Sequence, residues 1–103
     1  MQRLTLDPKY PGATQFVEFD FASLLGVGET LTGAATTCTV YAGTDPNPAA
    51  LIDGGAGISG SVVSQLITGG LAGVVYNLTC RATTSFSQIL ELVGRLAVIL
   101  ETS

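Results

Sequence analysis

The sequence predicts an all-β fold: an immunoglobulin-like or fibronectin-like antiparallel β-sandwich of about seven strands with an extended N-terminal arm. Three observations carry this expectation. Apolar residues recur with period two in several segments, the pattern of half-buried strands. Those segments arrive about every ten residues and are separated by Gly, Pro, Asn and Asp clusters that turn the chain. No helical period is sustained anywhere, and 103 residues are the size of one such domain.

The clearest strand is residues 73–85. Val74, Tyr76, Leu78, Cys80 and Ala82 form one apolar row, and Asn77, Thr79, Arg81 and Thr83 form the other. A strand with one apolar row needs a second sheet packed over it, so this segment is expected to be the central core strand.

In chain order, residues 1–14 form the arm and residues 15–103 the single sandwich domain. Leu4 and Leu6 are the arm's aliphatic anchors, while Pro8 and Pro11 lack the amide proton a ladder needs and restrict it to edge pairing. Residues 15–21 alternate Val17, Phe19 and Phe21 against Glu18 and Asp20. Residues 22–25 read as one helical or 3₁₀ turn, with Asp20 or Ser23 as its cap and Leu24 or Leu25 plugging the core. Residues 29–42 are threonine-rich and β-branched, with Cys38 and Val40 inward and a bulge at Gly33 that splits the strand. The turn at residues 43–48 leads to a short strand at 49–53 and a glycine break at 54–57. A strand at 61–68 follows, whose two rows are too alike to show which one is buried. The last strand runs through residues 88–101. Two antibody hallmarks are missing from the sequence: tryptophan, and a tyrosine two places before a cysteine, since Tyr76 precedes Cys80 by four.

Composition narrows the function. With Arg3, Lys9, Arg81 and Arg95 as the only cations and a net charge of −4, the chain has no phosphate-tracking stripe, which argues against nucleic acid. The acidic residues are spread along the chain and read as solvated. No apolar run reaches the roughly 18 residues that cross a bilayer, and the first ten residues lack a signal-peptide core, so neither a membrane span nor secretion is expected. The charged share is only 12% and the mean hydropathy is +0.50, so part of the surface is expected to be covered by partners.

Chemistry is scarce. Without histidine there is no Ser-His-Asp or Cys-His arrangement, and two cysteines do not complete a zinc site. Glu18 and Asp20 share a strand face but have no platform beside them, and Asp45 and Asp53 lack the alternating oxygen ligands of a calcium loop. The expectation is a non-enzymatic protein without cofactors. Cys38 and Cys80 fall on inward rows of separate strands, placed to meet across the sandwich. Buried thiols are the favoured reading, because nothing signals an oxidising compartment, and a bridge is the alternative.

The last strand is apolar on both faces. Leu90, Leu92, Leu96, Val98 and Leu100 suit the core, and Ile89, Val93, Ala97 and Ile99 line the opposite side, with a bulge at Gly94 as the one way to exchange the two rows. We read that second face as an interface, joined by Leu4 and Leu6 of the arm and by Asp45 and Pro46 of the turn; cover by the chain's own arm is the alternative.

Several motifs then follow a familiar order. These are Leu6-Asp7-Pro8-Lys9, Phe19-Asp20-Phe21-Ala22-Ser23-Leu24-Leu25 running into Gly28-Glu29-Thr30-Leu31, Tyr41-Ala42-Gly43-Thr44-Asp45, Gly69-Gly70 with Gly73, and Tyr76-Asn77-Leu78-Thr79-Cys80-Arg81-Ala82-Thr83-Thr84-Ser85. In that order they resemble the small tailed-bacteriophage virion proteins described as fiber-tail adaptors, which have an immunoglobulin-like fold. The resemblance implies a structural protein of the virion, assembled in the host cytoplasm, that joins tail or neck components to fibers or neighbouring subunits. It implies other virion proteins of tail, neck, fiber or capsid as partners, and a homo-oligomer or multicopy ring. A capsid cement or decoration protein is the alternative.

Overall fold

A computed structural model describes residues 2–5 and 9–99. They form seven strands: β1 (Gln2–Thr5), β2 (Thr14–Asp20), β3 (Leu31–Ala42), β4 (Ile52–Ser59), β5 (Val62–Thr68), β6 (Val75–Thr84) and β7 (Ile89–Ala97). Short 3₁₀ turns occupy Ala22–Leu24 and Pro48–Leu51. One sheet has the order β1-β7-β6-β3 and the other β2-β5-β4. Every pairing is antiparallel except β1 on β7, which is parallel. Lettered A to G in chain order, the sheets read A-G-F-C and B-E-D. That is the connectivity of an immunoglobulin-like sandwich with its first strand moved beside its last.

The period-two rows place the core as expected. Tyr76, Leu78, Cys80 and Ala82 of β6 and Leu92 and Leu96 of β7 are buried against Val17 and Phe19 of β2, Phe21, and Val63 and Ile67 of β5. Leu24 and Leu25 are half-buried against this core, and Asp20 Oδ1 accepts the Ala22 N–H at the start of their turn. The ladder of β7 on β6 passes through Gly94 without a register shift, so the two rows of β7 do not exchange. The β7 strand ends at Ala97; the expected continuation over residues 100 and 101 lies outside the described residues.

Three expectations change. The strand expected at residues 49–53 is instead the 3₁₀ turn Pro48–Leu51, whose proline presets φ and whose Leu51 side chain is buried. Strand β4 begins at Ile52 and runs through the glycine segment expected to be a break. Its backbone pairs with β5 despite the missing side chains, with a register shift between Asp53 and Gly57. Across that shift the buried Gln65 donates from Nε2 to the carbonyls of Asp53 (3.3 Å) and Gly54 (3.1 Å). This satisfies acceptors that the broken ladder leaves free, and it shows which row of β5 faces inward. The shift at Gly33 is present, but β3 continues through it as one strand.

The cysteines do not meet across the sandwich. Strands β3 and β6 are neighbours in one sheet, Cys38 pairs in register with Leu78, and Cys80 pairs with Thr36. Both are free thiols, and burial pushes Cys38 up to about 12 and Cys80 up to about 11. They pack as small hydrophobic groups, in line with the favoured reading.

The tyrosine hallmark is present in another form. Tyr76, fully buried near the start of β6, accepts the Leu71 N–H at its hydroxyl (2.9 Å) and donates to Asp45 Oδ2 (2.6 Å). Reaching back to the backbone of the preceding corner is what a tyrosine corner does. Counting back from Cys80 misses it here, because Tyr76 stands four places before that cysteine rather than two.

Candidate functional site

The outward face of the four-stranded sheet is built by the odd-numbered residues of β7 and their partners on β6. Ile89 pairs with Thr83, Glu91 with Arg81, Val93 with Thr79, Arg95 with Asn77 and Ala97 with Val75. Apolar side chains therefore alternate along this face with two cations whose charge is already engaged. Arg81 Nε donates to Glu91 Oε2 at 3.1 Å. The Arg95 guanidinium carbon lies 3.5 Å from the centre of the Tyr41 ring, a contact in which the negative ring face stabilises the cation. Arg95 Nε and Asn77 Oδ1, on residues opposite each other in the ladder, are buried without a hydrogen-bond partner among the described residues. This face thus combines the apolar side chains of Ile89, Val93 and Ala97 with an exposed Arg81–Glu91 pair and the Tyr41–Arg95 contact, a mixed surface.

The structure divides the expected interface residues. Ile89 is 61% exposed at one end of β7, and Val93 and Ala97 are half-buried along it. Ile99 is exposed at the far end, where its N–H donates to the Lys9 carbonyl. Asp45 and Pro46 lie towards that same far end. Pro46 is exposed, but both Asp45 oxygens are engaged within the chain, Oδ2 by Tyr76 and Oδ1 by the Asn47 N–H at 2.9 Å. Asp45 thereby holds its own loop against the core. Leu4 pairs in register with Gly94, and β1 lies at the edge of the sheet rather than over its face. Leu6 lies outside the described residues.

Several contributors are not evident from the sequence. Lys9, almost wholly buried, donates from Nζ to the carbonyls of Gly69 (2.6 Å) and Tyr10 (2.7 Å), and its backbone bridges Val98. It ties the arm to the turn before β6, and burial holds its ammonium below the ordinary lysine range. That turn also needs Gly70, where φ is +98° and a Cβ would come within 2.9 Å of Val98 Cγ2. At the opposite end Glu29 is buried rather than solvated as expected. Its Oε1 accepts the Gly26 N–H (2.8 Å) and its Oε2 accepts the Thr84 hydroxyl. The loop so held presents Val27, fully exposed, and Phe86 is exposed as well. An apolar residue between Gly26 and Gly28 is the one signal in the sequence that points to this tip.

Among the described residues no group of three or more Cys, Asp or Glu side chains is placed to hold a metal ion, and no helix is long and apolar enough to cross a membrane. The fold and this face define an immunoglobulin-like β-sandwich module with an apolar outward row on its last strand. The family model described as podophage GP4 fiber-tail adaptor protein gp77 matches residues 9–96. The chain belongs to that family of phage fiber-tail adaptors, and its sandwich is the fold that the motif order implied. A comparison with curated proteins finds no match.

Proposed function

We propose that the chain joins tail or neck components of the virion to fibers or neighbouring subunits, without catalysis, and that it works in several copies. The observation that supports this reading most directly is the outward row of β7. Ile89, Val93 and Ala97 leave apolar surface uncovered on a strand whose other row already fills the core, while the neighbouring cations are engaged within the chain. An adaptor places such a row against a partner, where burial contributes about 25 cal/mol per Å² of apolar area. Strand β1, which lies in the expected arm of residues 1–14 and forms an edge of the sheet itself, and the exposed Pro46 extend the contact at its margins.

Phage carrying Val93→Asp tests this. A carboxylate in a desolvated interface disrupts it, so purified particles should lack this chain or the fiber attached through it, as measured by quantitative mass spectrometry of virions. The isolated variant should melt like the wild type, because Val93 faces away from the core. Normal fiber content in particles that carry the variant would remove the β7 face from the mechanism.

A further inference from the structure

The four strand edges of this sandwich are unequally protected. Among the described residues strand β1 is four residues long, and it precedes Pro8 and Pro11 in the sequence. Strand β2 carries the exposed carboxylates Glu18 and Asp20. Strand β4 carries Asp53 and a register shift that breaks its line. Short length, charge, proline and bulges are the devices by which soluble proteins keep an edge from pairing with another chain. Strand β3 lacks the first three. It is twelve residues long, with neither a charged residue nor a proline, and its register shifts are confined to the two ends. From residue 33 to residue 40 its ladder with β6 is unbroken, and among the described residues its backbone forms no hydrogen bond to any element but β6. The backbone groups of β3 on the side away from β6 therefore have no hydrogen-bond partner among the described residues, although β4 and the turn Pro48–Leu51 pack close to the strand.

We propose that this edge is the self-contact of the protein: β3 of one copy pairs antiparallel with β3 of a second copy about a two-fold axis, joining the two four-stranded sheets. The inference rests on the multicopy reading above and assigns it a surface. An open edge is completed by an extended backbone, which supplies the missing donors and acceptors in alternation. A two-fold axis sets the strand against its own sequence, so any charge on it would face its like. Strand β3 is an uncharged edge in a chain of net charge −4, and two acidic copies approach there with the least repulsion. The exposed Ala35, Thr37 and Thr39 are small or β-branched, and threonines facing each other across a ladder stabilise it.

Sedimentation equilibrium of the purified full chain should show a dimer, and deuterium exchange at residues 33–40 should slow as concentration rises. Thr37→Lys, with Thr39→Lys as a second variant should the first fold poorly, sets like charges across the axis and should raise the dissociation constant by about tenfold or more. Val93→Lys, two strands from β3 on the same outward face, should leave the dimer intact. Loss of the dimer in both Thr37→Lys and Val93→Lys would place the contact on the face and overturn the edge pairing. A chain that stays monomeric up to ~1 mM, the weak end of specific association, overturns the proposal. So does a dimer insensitive to both threonine variants. A dimer lost with Val93→Lys but kept with Thr37→Lys places self-contact on the β7 face, sinking the edge pairing while leaving the adaptor reading in place.

Discussion

Strand β6 is fastened at both ends by a hydroxyl donating to a carboxylate, and the two fastenings differ in burial. At its start Tyr76 donates to Asp45, a half-exposed residue whose carboxylate water also reaches. At its end Thr84 donates to Glu29, which is buried and has no cation beside it among the described residues. Thr84 Oγ1 also accepts the Phe86 and Gln88 N–H groups, both at 3.2 Å, so one hydroxyl organises the turn between β6 and β7. The same chemical pair is thus a reinforcement at one end and a requirement at the other. A buried ion that loses a donor keeps its desolvation penalty, whereas an exposed one recovers water.

That contrast sets an order of effects. Thr84→Val keeps the shape of the side chain but leaves the Glu29 carboxylate and two amides short of partners. It should lower stability by about 3 kcal/mol, as measured by urea unfolding. A loss equal to or smaller than that of the Tyr76 variant would contradict the contrast. Tyr76→Phe removes two hydrogen bonds, yet Asp45 turns to solvent and only the Leu71 amide is stranded. The expected loss is about 1.5 kcal/mol. The third effect leaves neutral-pH stability untouched. Burial, then the bond to Asp45, pushes the Tyr76 phenol up to about 12 from its ordinary value of 10.0, and the two thiols are raised from 9.0. The unfolded chain releases these protons first, so stability is whole below about pH 9 and falls as pH climbs towards 12. The loss between pH 10 and 12 should be shallower in Tyr76→Phe than in the wild type. Identical urea midpoints of the two proteins at pH 11, corrected for their difference at pH 8, would show that the phenol is not held as described.

Legibility in the sequence follows the information carried by side-chain alternation. Strands β2 and β6 are readable to within a residue or two, because Val17 with Phe19 and Tyr76 with Leu78 leave only one face for the core, whereas for β5 the bounds are legible but its inward row is not. Strand β4 escapes because Gly54, Gly55 and Gly57 have no side chains to alternate, and its pairing rests on backbone bonds and the buried amide of Gln65. Cys38 is correctly read as inward, yet the sequence sets it across the core from Cys80, since alternation says which way a residue points and not which strands adjoin. Lys9 and Glu29 are beyond reach for a different reason. A lone charged residue reads as solvated until the carbonyls or hydroxyls that surround it are known. The outward row of β7 is legible because water disfavours a strand that is apolar on both faces unless both are covered.

The parallel pairing of β1 with β7 has a mechanical side. The chain enters at Gln2 beside Leu92 and leaves past Ile99 beside Lys9, so the first and last strands run the same way. A pull that draws the two ends of the domain apart slides these strands along their common axis. Their hydrogen bonds then bear the load together, in shear, instead of opening one after another like a zip. The Lys9 side chain, anchored to Gly69, resists the same sliding from within the fold.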